Sequence, residues 1–223
     1  LDVETVVIGG VLYAVIAQRL DTASSAGGFT VVKLTDSNGN ITSTSPSVVK
    51  QVQDGEAFTG SLNAALGNLA AISTQTIGGT TYLFTAGTNS ANSGTVQLYD
   101  LNKLISNDST ALLKEESAAK LDNPRDILTF QKDGTAYVLV SAEGDNIKRS
   151  YMNTLYITPG STELIRYART WTDDATDMTA LGSVTDGTNI FVCISGDDSS
   201  TSSYYNTNYT DAPVSTFVGH VSQ

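Results

Sequence analysis

The sequence is poor in cysteine, histidine and cationic residues, and each shortage excludes a class of protein. Its 223 residues include one cysteine, Cys193, and one histidine, His220, so it forms no internal disulfide and no Cys/His zinc site. Lysine and arginine number 12 against 23 acidic residues, a net charge of −11, which argues against nucleic acid and anionic membranes as partners. The longest apolar run, residues 6–17, is too short to insert into a bilayer.

What the sequence does contain suits one folded domain. Hydrophobic residues make up 40% of the chain, too many for a disordered protein of this charge. Serine and threonine are abundant, with 24 and 30 copies, which is typical of short strands joined by polar loops. A chain of this length can bury a sizeable core.

A strand, a tight glycine turn and a second apolar strand recur four times along the chain. The turn glycines are Gly10, Gly79, Gly134 and Gly187. Two-residue Gly-Gly or Asp-Gly turns between apolar segments predict hairpins, because such turns need positive φ. The second strand of each pair is almost continuously apolar, which predicts that both of its faces are covered. The copies are VVIGGVLYAVIA, STQTIGGTTYLFTAG, ILTFQKDGTAYVLVSA and GSVTDGTNIFVCISG.

Each hairpin is followed by a polar loop and a third, alternating strand. A weaker fourth strand is predicted around Ile41–Gln51 and Ala111–Lys120, although LLKEESAAK in the second range also suits a short helix. Residues 61–71 are equally ambiguous between a helical turn and the start of a strand. The predicted third strands are Phe29–Leu34, Thr95–Leu101, Glu163–Arg169 and Val214–Val221.

These repeats predict an all-β protein with a β-propeller-like fold. Four blades of three to four antiparallel strands are visible in a single domain of residues 1–223. A β-sandwich is the less favoured alternative. The sequence leaves open a compact four-bladed ring, a fragment, or a half-ring completed by a second copy. The approximate blade boundaries are 1–54, 55–121, 122–177 and 178–223.

Two stretches of the chain carry a resemblance to a known family. IGGTTYLFTAG with the following SGTVQLYDL, and NPRDILTFQKDGTAYVLVSAEGDNI, resemble blades of the lactonase-like, YVTN-type β-propellers of secreted and surface prokaryotic proteins. The resemblance implies a propeller fold. It also implies that an axial calcium ion could polarise an ester or lactone carbonyl. It does not choose an activity, since such folds host both enzymes and binding modules.

Long loops are predicted at one rim of the propeller, where the chain leaves each second strand and enters each first strand. The loops are residues 18–28, 88–94, 143–162 and 197–213, and a rigid scaffold commonly carries its binding residues on such loops. Tyrosine among Ser, Asn and Asp is typical of recognition surfaces, and it suits equally well a loop that its tyrosines tether to its own blade. The candidate binding residues on this rim are Asp122, Asn123, Arg125, Asp126, Tyr204, Tyr205 and Tyr209.

Four acidic residues on the same rim are candidate ligands of a calcium ion. Converging carboxylates suit this hard cation. The alternative interpretation, favoured by the composition, is that they are ordinary solvated loop residues. A DxDxDG loop is missing, and Asp36–Asn40 is better explained as a hairpin turn. The candidate ligands are Glu143, Asp145, Asp197 and Asp198.

The sequence-based prediction of function is a secreted or cell-surface module that works by binding or assembly, such as a subunit of an extracellular filament or sheath. The missing catalytic motifs, including GxSxG, argue against an enzyme. A calcium-dependent lactone or ester hydrolase, implied by the resemblance, is the alternative. The predicted partners are further copies of the chain, another surface protein or a glycan. No cofactor is required, and calcium is allowed.

Overall fold

The computed structural model describes most of the chain as paired β-strands. No helix in the described part is long and apolar enough to cross a membrane. The described residues are 2–18, 27–43, 45–88, 93–117, 121, 123–132, 134–142, 150–161, 163–172, 177–185 and 190–197.

The strands follow one another along the chain with one short helix between them. The elements are β1 (Asp2–Ile8), β2 (Val11–Gln18), β3 (Gly28–Lys33), β4 (Ser47–Gln53), β5 (Ala71–Ile77), β6 (Thr80–Thr88), β7 (Gly94–Asp100), α1 (Leu101–Ile105), β8 (Leu112–Ser117), β9 (Pro124–Lys132), β10 (Thr135–Ala142), β11 (Ser150–Ile157), β12 (Ile165–Thr172), β13 (Asp177–Thr185) and β14 (Ile190–Asp197).

The strands form four antiparallel sheets in which chain neighbours are hydrogen-bonded neighbours. Sheet 1 is β1–β4, sheet 2 is β5–β8, sheet 3 is β9–β12, and sheet 4 is β13–β14 in the described residues. The first strand of each sheet contacts the first strand of the next, so β1, β5, β9 and β13 stand side by side in chain order. We call these four the inner strands, and the end at which they begin the upper rim. The prediction of an all-β protein with antiparallel sheets is confirmed.

Glycine turns join the inner strands to their partners, as predicted. Gly9 and Gly10 have φ of 57° and 81°, and Gly78 and Gly79 have φ of 57° and 84°. Glycine is favoured at these positions because side chains rarely adopt this left-handed conformation. The predicted turn at Gly187 lies outside the described residues. Along β6 every residue but the first is buried, which confirms that this second strand is covered on both faces.

The third sheet differs from its prediction. The range 143–162 was predicted as a loop, but it contains the strand β11, and Glu163–Arg169 overlaps the fourth strand, β12, rather than forming the third. The loop prediction is wrong because β10 bonds to β9 on one edge and needs a second strand on the other. The segment SYMNTLYI supplies that strand.

The two ambiguous segments are resolved. In the range 111–120, the described residues contain the strand β8 and not a helix. Residues 61–71 are mostly irregular, with a single bridge between Asn63 and Ala57, until β5 begins. The helix α1 was not predicted. It starts at Asp100, whose side chain accepts the N–H groups of Asn102 and Lys103.

The core consists of layers between neighbouring sheets. Between sheets 1 and 2, the fully buried Tyr99 ring meets Phe29 and Phe58 edge-on, with centroids 5.3 Å and 5.8 Å away. Between sheets 2 and 3, Phe84, Leu98 and other apolar side chains of β6 and β7 pack against those of β9, β10 and β11. The sheets are therefore stacked face to face, with inner strands adjacent.

Gly28→Ala should destabilise the protein, because a Cβ at this position in β3 would collide with the backbone carbonyl of Val52. Overpacking against backbone typically costs about 1–3 kcal/mol, and we expect about 2–3 kcal/mol. Urea unfolding measures the loss. The matched control is Gly182→Ala, where a Cβ would meet open space. Equal urea midpoints for the two variants would contradict the close packing of Gly28 against the backbone of Val52.

Candidate functional site

Asp2 joins the inner strands of sheets 1 and 2. Its Oδ1 accepts the N–H of the next residue, Val3, at 2.9 Å. Its Oδ2 accepts the N–H of Ile72 on β5, also at 2.9 Å. One carboxylate therefore bonds its own strand and the neighbouring sheet at the upper rim.

Asp126 does the same between sheets 3 and 4. Its Oδ1 accepts the N–H of Ile127 at 2.8 Å, and its Oδ2 accepts the N–H of Leu181 on β13 at 2.6 Å. Asp2 and Asp126 hold equivalent places, since each lies six positions before the last paired residue of its hairpin strand. We call these two residues the aspartate clamps. In sheet 2 the equivalent residue is Ala71.

Glu4 lies on the same face of β1 as Asp2, two residues along the strand, and is partly buried. Burial raises the pKa of the Glu4 carboxyl above its usual value, and the negative charge of Asp2 raises it further. A hydrogen bond from the side chain of Thr74 on β5 opposes this shift, and the charge of Asp126 adds to it. The carboxyl group of Glu4 therefore favours its protonated form more than an exposed glutamate does.

Asp126 is subject to the same influences. Burial raises the pKa of its carboxyl, the N–H bonds from Leu181 and Ile127 lower it, and the charge of Asp2 raises it. Asp2, Glu4 and Asp126 thus share one electrostatic environment where the inner strands begin, and we call them the rim carboxylates. A protonated carboxyl beside a charged one is the arrangement that general acid–base chemistry uses.

Comparisons with known proteins identify the fold. No family model matches the sequence, and no curated protein matches it. Two similar solved structures are those of a GH43_1 enzyme from Xanthomonas citri, one of them complexed with xylose. The xylose complex is 12% identical, with a TM-score of 0.50, and the match covers 89% of this chain and 69% of that one. For the other structure the identity is 11%, the TM-score 0.50, and the coverage 89% and 70%.

GH43 enzymes have the five-bladed β-propeller fold of glycosidases. The chain has a propeller-like fold. The prediction of that fold class is confirmed at this level, whereas the predicted number of four blades is not. The specific resemblance to lactonase-like, YVTN-type propellers receives no support from the comparisons.

The predicted function is wrong. The structural neighbours are GH43 glycoside hydrolases, and they include neither a filament subunit nor a lactone or ester hydrolase. No sequence motif marks the rim carboxylates, because only the fold brings them near one another.

The structure places some of the predicted site residues on the upper rim of this propeller-like fold. Asp126 and Arg125 lie near the start of β9, and Asn123 is exposed just before it, with φ of 50°. Asp197 is the last residue of β14. Of these, Asp126 is brought together with other carboxylates. The remaining predicted residues lie outside the described ones: Asp122, Glu143, Asp145, Asp198, Tyr204, Tyr205 and Tyr209.

The described residues contain no group of three or more His, Cys, Asp or Glu side chains placed to hold a metal ion. Three of the four predicted calcium ligands lie outside that part of the chain, so calcium at this rim stays a prediction. The extracellular or cell-surface location also stays a prediction.

Asp2 and Glu4 were missed as site residues, although β1 carries a signal for them. Its two charged residues flank Val3, and the structure turns them toward sheet 2 on the face that also carries Val6 and Ile8. Val3 and Val7 on the opposite face are 51% and 62% exposed. A strand that covers carboxylates and exposes valines reverses the usual pattern, and such reversals mark candidate functional positions.

Asp126→Ala should destabilise the protein by about 2–3 kcal/mol, because the N–H groups of Leu181 and Ile127 lose their acceptor in a partly buried place. Urea unfolding measures the loss, and hydrogen exchange of the Leu181 amide should accelerate. Glu163→Ala is the control, since it removes only an exposed ion pair with Lys114 and should cost under about 0.5 kcal/mol. An unchanged rate of hydrogen exchange at the Leu181 amide would contradict the hydrogen bond between Asp126 and Leu181.

Lowering the pH from neutral toward the ordinary carboxyl range should increase the contribution of Glu4 and Asp126 to stability. Because the pKa values of Glu4 and Asp126 are raised in the folded protein, it binds protons more tightly than the unfolded chain. Their contribution to the free energy of unfolding therefore falls as pH rises from the ordinary carboxyl pKa through the raised one. Urea unfolding across this range should show a weaker pH dependence in Glu4→Gln. An identical dependence in both proteins contradicts the assignment.

Proposed function

We propose that the protein hydrolyses glycosidic bonds at the upper rim, with Glu4 as the proton donor. The observation that carries this proposal is the Glu4 carboxyl, which is partly buried and has its pKa raised by burial and by the charge of Asp2. The propeller-like fold, similar to that of GH43 enzymes, supports it.

Glycosidic hydrolysis needs two carboxyl groups with different protonation states. One, with a raised pKa, donates a proton to the leaving oxygen, while the other stays charged and acts as a base or nucleophile. Glu4 suits the first role. Asp2, both of whose oxygens accept backbone N–H groups, supplies the negative charge that raises the pKa of the donor.

Asp126 is a positioning residue in this proposal. Both of its oxygens accept backbone N–H groups, and one of those bonds reaches β13. Its charge also contributes to the raised pKa of Glu4. Asp126 therefore holds the neighbouring inner strand in place and adjusts the acidity of the donor.

The proposed substrates are neutral glycosides. The chain carries a net charge of −11, and its repulsion of anions disfavours uronic acid chains and other anionic glycans. One structural neighbour was solved in complex with xylose, a neutral sugar, so xylosides are suitable substrates to test first.

Glu4→Gln should lower kcat by about 10²–10⁴-fold on alkyl xylosides, whose poor leaving group needs a proton. The loss should be much smaller on 4-nitrophenyl xyloside, whose leaving group departs without one. Release of xylose measures the first reaction, and absorbance of nitrophenolate measures the second. The wild-type pH profile should have a basic limb that Glu4→Gln loses.

Glu116→Gln is the control, since it removes one carboxylate from the outer strand β8, away from the rim carboxylates. It should leave both rates unchanged. The proposal is refuted if the wild-type protein hydrolyses no member of a panel of neutral glycosides. It is also refuted if Glu4→Gln retains full activity on the alkyl substrates.

A further inference from the structure

A cavity of about 550 Å³ lies between sheets 1 and 2, away from the rim carboxylates. Its walls come from the irregular segment that follows β4 and from the outer strand β8. Its volume falls within the range of pockets that hold small molecules. The lining residues are Asp54, Gly55, Ser61, Leu62, Asn63, Ala64, Ala65 and Glu115.

A fully buried amide fixes one wall of this cavity. The Nε2 of Gln97 donates to Glu115 Oε2 at 2.9 Å and to the carbonyl oxygen of Asn63 at 2.7 Å. The Oε1 of Gln97 accepts the N–H of Ala65 at 2.9 Å and the hydroxyl of Tyr99 at 2.7 Å. All hydrogen-bonding positions of the amide are therefore used, so the Glu115 carboxylate is held in one orientation.

The opposite wall presents Asp54. Its Oδ1 accepts the N–H of Leu66 at 2.6 Å. Its Oδ2 lies beside Gly67, where an added Cβ would be 3.6 Å from it and 3.8 Å from Thr88 Oγ1. That hydroxyl belongs to a residue only 2% exposed, and it has no hydrogen-bond partner. Neither Gly67 nor Thr88 lines the cavity, so the acceptor that this wall offers to a ligand is the Asp54 carboxylate.

Among the described residues, none that lines the cavity carries a positive charge. The nearby Lys50 is paired with Glu56 at 2.8 Å. Burial raises the pKa of the Tyr99 phenol well above its usual value. The negative charges of Glu115, Glu56 and Asp54 raise that pKa further, so the potential around the cavity is negative.

We propose that this cavity is a second binding site, which takes a small molecule carrying a primary ammonium group between Asp54 and Glu115. An ammonium group has three N–H donors and no acceptor, and both walls offer carboxylate oxygens. The small side chains Ala64 and Ala65 leave room for its carrier. The proposal does not depend on the proposed hydrolysis, because Glu4 takes no part in this cavity.

Glucosamine and N-acetylglucosamine are suitable probes, since they differ by the positive charge. Titration of the full chain, followed by calorimetry or NMR, should show glucosamine binding at least about tenfold more tightly at low salt, with the difference shrinking as salt screens it. Glu115→Gln and Asp54→Asn should each weaken glucosamine binding about fivefold or more. Both variants keep an oxygen for the bonds that Gln97 and Leu66 donate.

Glu116→Gln is the matched control, because its side chain alternates to the other face of β8 and it removes the same charge. It should bind glucosamine as the wild-type protein does, and so should Glu4→Gln. Equal binding of the two sugars would overturn the ammonium assignment. The site itself is overturned by absence of glucosamine binding, or by binding that Glu115→Gln and Asp54→Asn leave intact.

Discussion

A carboxylate that accepts a backbone N–H from the next inner strand holds the sheets together at the upper rim. Asp2 bonds Ile72 in this way, and Asp126 bonds Leu181. The two residues are equivalent in their hairpins, and each also accepts the N–H that follows it. The same hydrogen bond from a backbone N–H to an aspartate therefore joins sheet 1 to sheet 2 and sheet 3 to sheet 4. The apolar layers between the sheets stabilise the stack. The aspartate clamps join neighbouring inner strands at the upper rim.

The same partly buried aspartates also raise the pKa values of carboxyl groups at the upper rim. Burying carboxylates costs free energy, and their mutual repulsion adds to that cost. The cost is seen in the raised pKa values of Glu4 and Asp126. Asp2 is well bonded and supplies the charge, whereas Glu4 has fewer partners and favours a proton. The pKa of Glu4 is therefore raised by burial and by the neighbouring charge of Asp2, which is the condition that a general acid requires.

The sequence predicts the fold well where the physical signal is local, and poorly elsewhere. The glycine turns were predicted because positive φ singles out glycine. The strand β11 was missed because its polar centre resembles a loop, and only the pairing with β10 reveals it. Asp126 was predicted from topology to lie at the rim where the inner strands begin, and it lies near the start of β9. Asp2 and Glu4 were not, because the bond that gives Asp2 its role comes from Ile72, 70 residues away in the chain.

The central claim is that Glu4 is an acid whose proton is retained by burial and by the charge of Asp2. Carbon-detected NMR titration of the Glu4 side-chain carboxyl tests it directly, in the wild-type protein and in Asp2→Asn. The account predicts a pKa above the usual value of 4.5 in the wild type and a lower pKa in Asp2→Asn. A wild-type pKa at or below 4.5, or one that Asp2→Asn leaves unchanged, would contradict it.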